Sequence, residues 1–276
     1  MSTSSTPPIV RFYDPHLKAP DAQGRSLSEI LSWSDSRLEF SHDYIQTLFP
    51  LPERSPIDPS APVIDHATFT AFRCRPELRL RLRLALERIC QFYGFRFQGT
   101  GEHDSLRIEK QGNGRFEARA RNWVSRFNHN HLRITRIIRC LRVLGLDEEA
   151  KAFFDAVKQV HDETGRISDR SLMFWTRAME RPLYLAPEDE VDEGMGKDFL
   201  YEFENQGDGR EGIKDRNGMP GDGTNSDDDT TSDNTKDLDE GDENTHSTTP
   251  DNPSFREEDQ TPTNTIRRTK PKYEEV

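Results

Sequence analysis

Between Asn128 and Leu146 the apolar residues Ile134, Ile137, Ile138, Leu141 and Leu144 fall within about a third of a helical circumference at 100° per residue. Asn130 stands where a helix N-cap is favoured, and Gly145 where a left-handed residue ends a helix. The same periodicity predicts further helices on both sides. Ser26-Leu27-Ser28-Glu29 reads as a capping box that opens a short one. Ser41 caps a second, His42 to Phe49, which Pro50 ends. Prolines at 50, 52, 56, 59 and 62 predict a stiff extended connector, and Asp65 caps a helix carrying Phe69 and Phe72.

Residues 76–93 admit two patterns. Leu78, Leu80, Leu82, Leu84 and Leu86 alternate with polar positions as in a strand, yet Leu78, Leu82, Ala85, Leu86, Ile89 and Tyr93 share one helical face. Pro76 at the first helical position and the stop at Gly94 favour the helix, which leaves Leu80 and Leu84 to be covered by internal packing. Residues 96–114, with four glycines, read as a loop, and Arg115 to Phe127 as a helix anchored by Phe116, Trp123 and Phe127. Asp147 and Ser168 cap the last two helices. The expectation is an all-α fold: a single helical domain of about seven helices over residues 26–185, after an irregular segment 1–25.

Charge divides the chain. Residues 201–276 hold 21 Asp+Glu against 9 Lys+Arg, whereas residues 73–142 hold 17 Arg+Lys against 6 Asp+Glu. Low hydrophobicity with high charge predicts a disordered acidic tail over 186–276. The basic middle and acidic tail suggest an intramolecular contact in which the tail masks the arginines. Three scattered cysteines suit a reducing compartment, the N-terminus lacks a signal-peptide core, and no run is long enough to span a membrane.

Candidate chemistry centres on Arg133, Arg136, Arg139 and Arg142. Four planar forks at a spacing of three could bind a polyanion, nucleic acid or anionic lipid. Charge runs on helices usually face solvent, so the expected reading is a solvated face paired with Glu117, Glu148 and Glu149. His129 and His131 sit at the helix entrance without the further ligands a zinc site needs, so capping and hydrogen bonding is the expected role. Cys90 reads as an inert core thiol. No nucleophile motif, phosphate loop or dinucleotide fingerprint occurs, so neither an enzyme nor a cofactor is expected. Arg267-Arg268-Thr269-Lys270-Pro271-Lys272 has the form of a basic nuclear-import cluster.

Three ordered motifs carry a resemblance: His42-Asp43-Tyr44-Ile45-Gln46-Thr47-Leu48-Phe49-Pro50, Phe92-Tyr93-Gly94, and His129-Asn130-His131-Leu132-Arg133-Ile134-Thr135-Arg136-Ile137. Over about residues 26–180 the chain resembles the conserved domain of the opioid growth factor receptor family, in a compact fungal-type form. Thr47 departs from the aromatic residue usual at its place. The resemblance implies a helical domain and a non-catalytic receptor for a peptide or protein that restrains growth. It also implies a nuclear or peripheral nuclear-envelope location, with the cytoplasm as the alternative. The motif residues it singles out are His42, Tyr44, Gln46, Phe49, His129, Asn130, Leu132 and Thr135.

Overall fold

The helix over residues 129–143 is buried on nearly every side, with eleven of its fifteen residues inaccessible. The computed structural model describes residues 6–55, 58, 60–98, 106–189 and 197–208. In chain order these form α1 (Pro8–Tyr13), α2 (Leu27–Leu31), α3 (Asp35–Phe40), α4 (Tyr44–Leu48), α5 (His66–Cys74) and α6 (Pro76–Tyr93). A hairpin of β1 (Phe95–Gln98) and β2 (Arg107–Lys110) follows. Then come α7 (Arg115–Ala120), α8 (His129–Val143), α9 (Asp147–Thr164), α10 (Asp169–Glu180) and α11 (Asp198–Asp208). The fold is mostly helical, as the periodicity predicts.

Capping side chains set five of the helix starts among the described residues. Ser26 accepts from the Glu29 amide at 3.2 Å, Asp65 from Thr68 at 2.7 Å and Ser168 from Ser171 at 3.2 Å, all as expected. The cap of α8 is Asn128 rather than Asn130, its side chain accepting from the Asn130 amide at 2.9 Å. Asn130 instead lies inside the helix and is fully buried. Ser41 does not open a helix. It ends α3, a helix the sequence reading missed and that Ser34 caps, while α4 begins at Tyr44 without a side-chain cap.

Packing explains the other departures. Residues 96–114 are not all loop: β1 and β2 pair antiparallel from Phe95↔Lys110 to Gln98↔Arg107. Phe95 and Ile108 point inward and are buried, an alternation too short to stand out beside the glycines. α7 stops at Ala120, because Trp123 turns inward to donate its indole N–H to the Tyr93 carbonyl at 3.1 Å. Phe127 is left 70 % exposed and anchors nothing within the fold. On α6, Leu80 and Leu84 remain exposed rather than covered. Tyr44, Phe49, Tyr93, Trp123, Ile134, Ile138 and Trp175 are all buried in the core.

Two elements lie where irregular chain is expected. In α1, Ile9, Val10, Phe12 and Tyr13 are buried, and Tyr13 Oη donates to the Leu48 carbonyl at 2.6 Å. Asp14, which ends α1, accepts from the His16 and Leu17 amides and pairs with Arg75 at 2.6 Å, joining the start of the chain to the α5–α6 corner. In α11, Phe199 and Phe203 pack on Phe69 of α5 at ring distances of 5.4 and 5.1 Å. That helix falls within the span read as tail; residues 209–276 and the basic cluster near Arg267 lie outside the described residues.

Gly94 closes α6 at φ +92°, and a Cβ there would stand 3.0 Å from the Phe116 Cα. Gly94→Ala is expected to lower stability by about 2 kcal/mol in urea denaturation, combining left-handed strain with the backbone contact. The Arg75 side chain and the two amides hold the Asp14 carboxyl down at about 2. With its folded value depressed, its contribution is complete above the ordinary carboxylate range and disappears as pH falls through about 2. Asp14→Asn should therefore melt earlier than the native chain at pH 6, with the gap closing toward pH 2 in thermal scans.

Candidate functional site

The C-terminal carbonyls of a helix lack intrahelical donors and carry the negative end of its dipole. The arginines of α8 answer that need in the surrounding helices. Arg133 donates to the carbonyls of Leu38 at 3.1 Å and Ser41 at 2.8 Å, closing α3. Arg136 reaches the Phe49 carbonyl at the end of α4, at 3.1 Å. Arg142 reaches the Ala178 and Arg181 carbonyls at the end of α10, at 3.1 and 2.7 Å. Arg139, only 1 % exposed, pairs with Glu53 at 2.8 Å. Arg73 does the same for α8 itself, donating to the Val143 and Arg142 carbonyls. The solvated face paired with Glu117, Glu148 and Glu149 is not formed. Charge spacing alone cannot tell a water-facing ridge from one aimed at neighbouring helix ends.

Where the N-terminal two-thirds of α8 faces α4, the fold encloses a cavity of about 340 Å³. Buried Thr135 and Arg139 and half-buried Gln46 form its inner end, and Ile45, Leu51 and Pro187 supply apolar lining. Exposed His42, His129, Leu132 and Glu188 form its lip, with Leu132 69 % exposed. Arg133, Arg136 and Ser55 complete the lining. Two polar atoms of the lining residues, Arg139 Nε and Gln46 Oε1, are buried without a hydrogen-bond partner in the structure, as is Oε2 of Glu53, which pairs with Arg139 but is not itself part of the lining. Such atoms are costly unless a polar group meets them. Burial also lowers the Arg136 pKa, an effect that Glu188 and Glu53 oppose.

The cavity gathers five of the eight motif residues, His42, Gln46, His129, Leu132 and Thr135, with three of the four candidate arginines. The others lie elsewhere. Tyr44 is buried with its ring 5.6 Å from the Arg133 guanidinium, and burial pushes its phenol up to about 12. Phe49 is buried and supplies the carbonyl that Arg136 holds. Asn130 accepts from Tyr93 Oη and Arg133 and donates to Glu39. Arg142 serves α10. Sequence reasoning missed Ile45, Leu51, Glu53, Pro187 and Glu188. Glu53, a lone acid in the proline-rich connector, was the one legible signal.

The two histidines of the helix entrance diverge. His129 lies at the lip, 3.3 Å from Glu39 and with its ring 5.5 Å from that of His42. His131 is buried between the Trp123 carbonyl and Ser171 Oγ, each at 2.9 Å. A carbonyl can only accept, so Nε2 of His131 carries the proton. Among the described residues no three His, Cys, Asp or Glu side chains are grouped to hold a metal. Burial raises the Cys90 and Cys140 thiols above their ordinary value.

Two outcomes test this framework. Arg133→Lys is expected to cost about 2 kcal/mol in chemical denaturation, because a point cation cannot span the carbonyls of Leu38 and Ser41 together. Burial lowers the His131 pKa, so its neutral form stabilises the fold fully above about 6.5 and that contribution declines as pH falls below it. Between pH 8 and 5 the native chain should therefore lose more stability than His131→Gln, read as the shift in urea midpoint.

The conserved region of the opioid growth factor receptor matches residues 7–182. The rat opioid growth factor receptor is 36 % identical over 127 residues, covering 45 % of this chain and 21 % of the receptor. The human receptor is 35 % identical over 133 residues, covering 45 % of this chain and 18 % of the receptor. The mouse opioid growth factor receptor-like protein 1 is 34 % identical over 148 residues, covering 50 % and 28 % of the two chains. Thus the match spans less than a third of these relatives' length. No solved structure matches the chain. With the motifs of α4, α6 and α8 meeting around one buried helix and a match over residues 7–182, the chain belongs to the opioid growth factor receptor conserved-region family.

Proposed function

We propose that this chain is a non-enzymatic binding protein whose cavity between α4 and α8 receives a segment of a peptide or protein partner. One observation carries the reading: two motif segments about ninety residues apart line one cavity, which joins a buried polar end to an exposed apolar lip. Such a combination suits ligands that need both an anchoring polar group and apolar contact. The relatives are named as receptors, which supports the same reading. The buried, proton-retaining thiols of Cys90 and Cys140 and the fixed His131 support a binding role over catalysis. On this reading the chain carries signalling receptor activity in growth regulation, acting at the nucleus or the nuclear envelope. Among the described residues no helix is long and apolar enough to cross a bilayer.

The polyanion-adaptor reading rests on the charge of residues 73–142. Because the α8 arginines donate to internal acceptors, that role would fall to exposed Arg96, Arg115, Arg121 and Arg126 on β1, α7 and the turn that follows. Selection of a random twelve-residue peptide display library on the full chain separates the two. Enriched peptides are expected, with at least ten-fold weaker binding to Leu132→Asp, an exposed position whose change leaves the melting temperature intact. No enriched peptide, or binding indifferent to Leu132→Asp, would remove the peptide reading. Heparin binding that collapses with salt in the same chain would then favour polyanions.

A further inference from the structure

The matched conserved region ends at residue 182, but the cavity does not. Pro187 and Glu188, from the segment that follows α10, complete its lining beside Arg136 and Arg139. That segment is held in place rather than trailing away. Arg181 donates to the carbonyls of Ala186 at 3.1 Å and Asp189 at 2.6 Å, and Arg177 donates to that of Pro187 at 3.4 Å. Upstream, the Leu183 amide donates to Glu204 of α11 at 2.7 Å, and Tyr184 packs against Tyr201 with ring centroids 5.1 Å apart. α11 is in turn seated on Phe69. Residues 183–189 therefore form a strap that carries one carboxylate to the cavity.

The charge at the site shows what that carboxylate replaces. Glu53 neutralises Arg139 through a single Nη, leaving Arg139 Nε buried and unpartnered. Arg133 is committed to the carbonyls that close α3. Neither Arg133 nor Arg136 has an acidic partner in a direct ion pair among the described residues, but Arg133 spreads its donors over the Leu38, Ser41 and Asn130 oxygens, whereas Arg136 meets the Phe49 carbonyl alone. A single negative charge matches this arrangement, since Glu53 already neutralises Arg139. From the geometry we infer that the cavity takes the carboxylate of a peptide ligand, and that Glu188 is its built-in stand-in, carried by a strap that a ligand must displace. This rests on the peptide-binding reading and adds the chemical class of the anchoring group and its competitor.

The test uses the full chain and three fluorescein-labelled peptides on the strap sequence. The first is Leu-Tyr-Leu-Ala-Pro-Glu-Asn with an amidated end, the second has Gln for Glu, and the third is the Gln peptide with a free C-terminal acid. In Glu188→Gln, at least one carboxylate peptide should bind ten-fold tighter than the all-amide peptide, and ten-fold tighter than it binds the native chain. Which of the two does so tells a side-chain carboxylate from a chain terminus. Adding Arg136→Gln should abolish the preference, and Arg136→Lys, which keeps the cation, should retain part of it. Equal binding of all three peptides, or no gain on Glu188→Gln, would overturn the inference. Display-selected peptides that bind the cavity without acidic enrichment would also overturn it, while leaving the peptide-binding reading intact. A display selection that yields no binder would remove both.

Discussion

Every helix ends in carbonyl groups that its own backbone cannot satisfy, and in this fold several of those ends are closed by arginines sent from another helix. Arg133, Arg136 and Arg142 leave α8 for the ends of α3, α4 and α10, while Arg73 from α5 closes α8. Arg79 on α6 closes α5 in the same way, donating to the carbonyls of Phe72 and Arg73 at 2.6 Å each. A guanidinium suits this work better than an ammonium, since its planar fork can meet two carbonyls while its stem packs against apolar neighbours. The fixed placement of α3 and α4 against α8, and with it the cavity, follows from these contacts.

This explains how one helix can carry four arginines and still be the buried centre of the molecule. Desolvating a guanidinium is costly, but here each lies against carbonyl oxygens or, for Arg139, a carboxylate. The motifs that identify the family thus do two jobs. Tyr44, Tyr93 and Asn130 hold the core around Arg133, and His42, Gln46, Leu132 and Thr135 shape the cavity on the other side of the same contacts. Structural and ligand-facing positions alternate within a few residues of one another along α8.

Much of the fold was legible because it is encoded locally. Capping residues such as Ser26, Asp65 and Ser168, the stops at Gly94 and Gly145, and the stripe from Ile134 to Leu141 each need only a few neighbouring residues to act. What escaped depends on distant partners. α1 is ordered by Leu48 and Arg75, and α11 by Phe69, none of which its own sequence announces. β1 and β2 are only four residues each and need one another. The cavity was half legible: its motif residues could be named, but that they converge, and that Glu53 and Glu188 join them, depends on tertiary packing.

The donors that close α3 and α4 lie about ninety residues further along the chain than the carbonyls they meet. During synthesis at about 5–20 residues per second, the ends of those helices wait roughly 5–20 s before Arg133 and Arg136 are made. Throughout that interval the first third of the protein has side-chain caps at the starts of α2, α3 and α5 and the Arg79 closure of α5, but nothing from α8 to close the ends of α3 and α4. It therefore cannot settle in advance of the rest, and α8, one of the later helices to emerge, is the element on whose arrival the order of assembly turns.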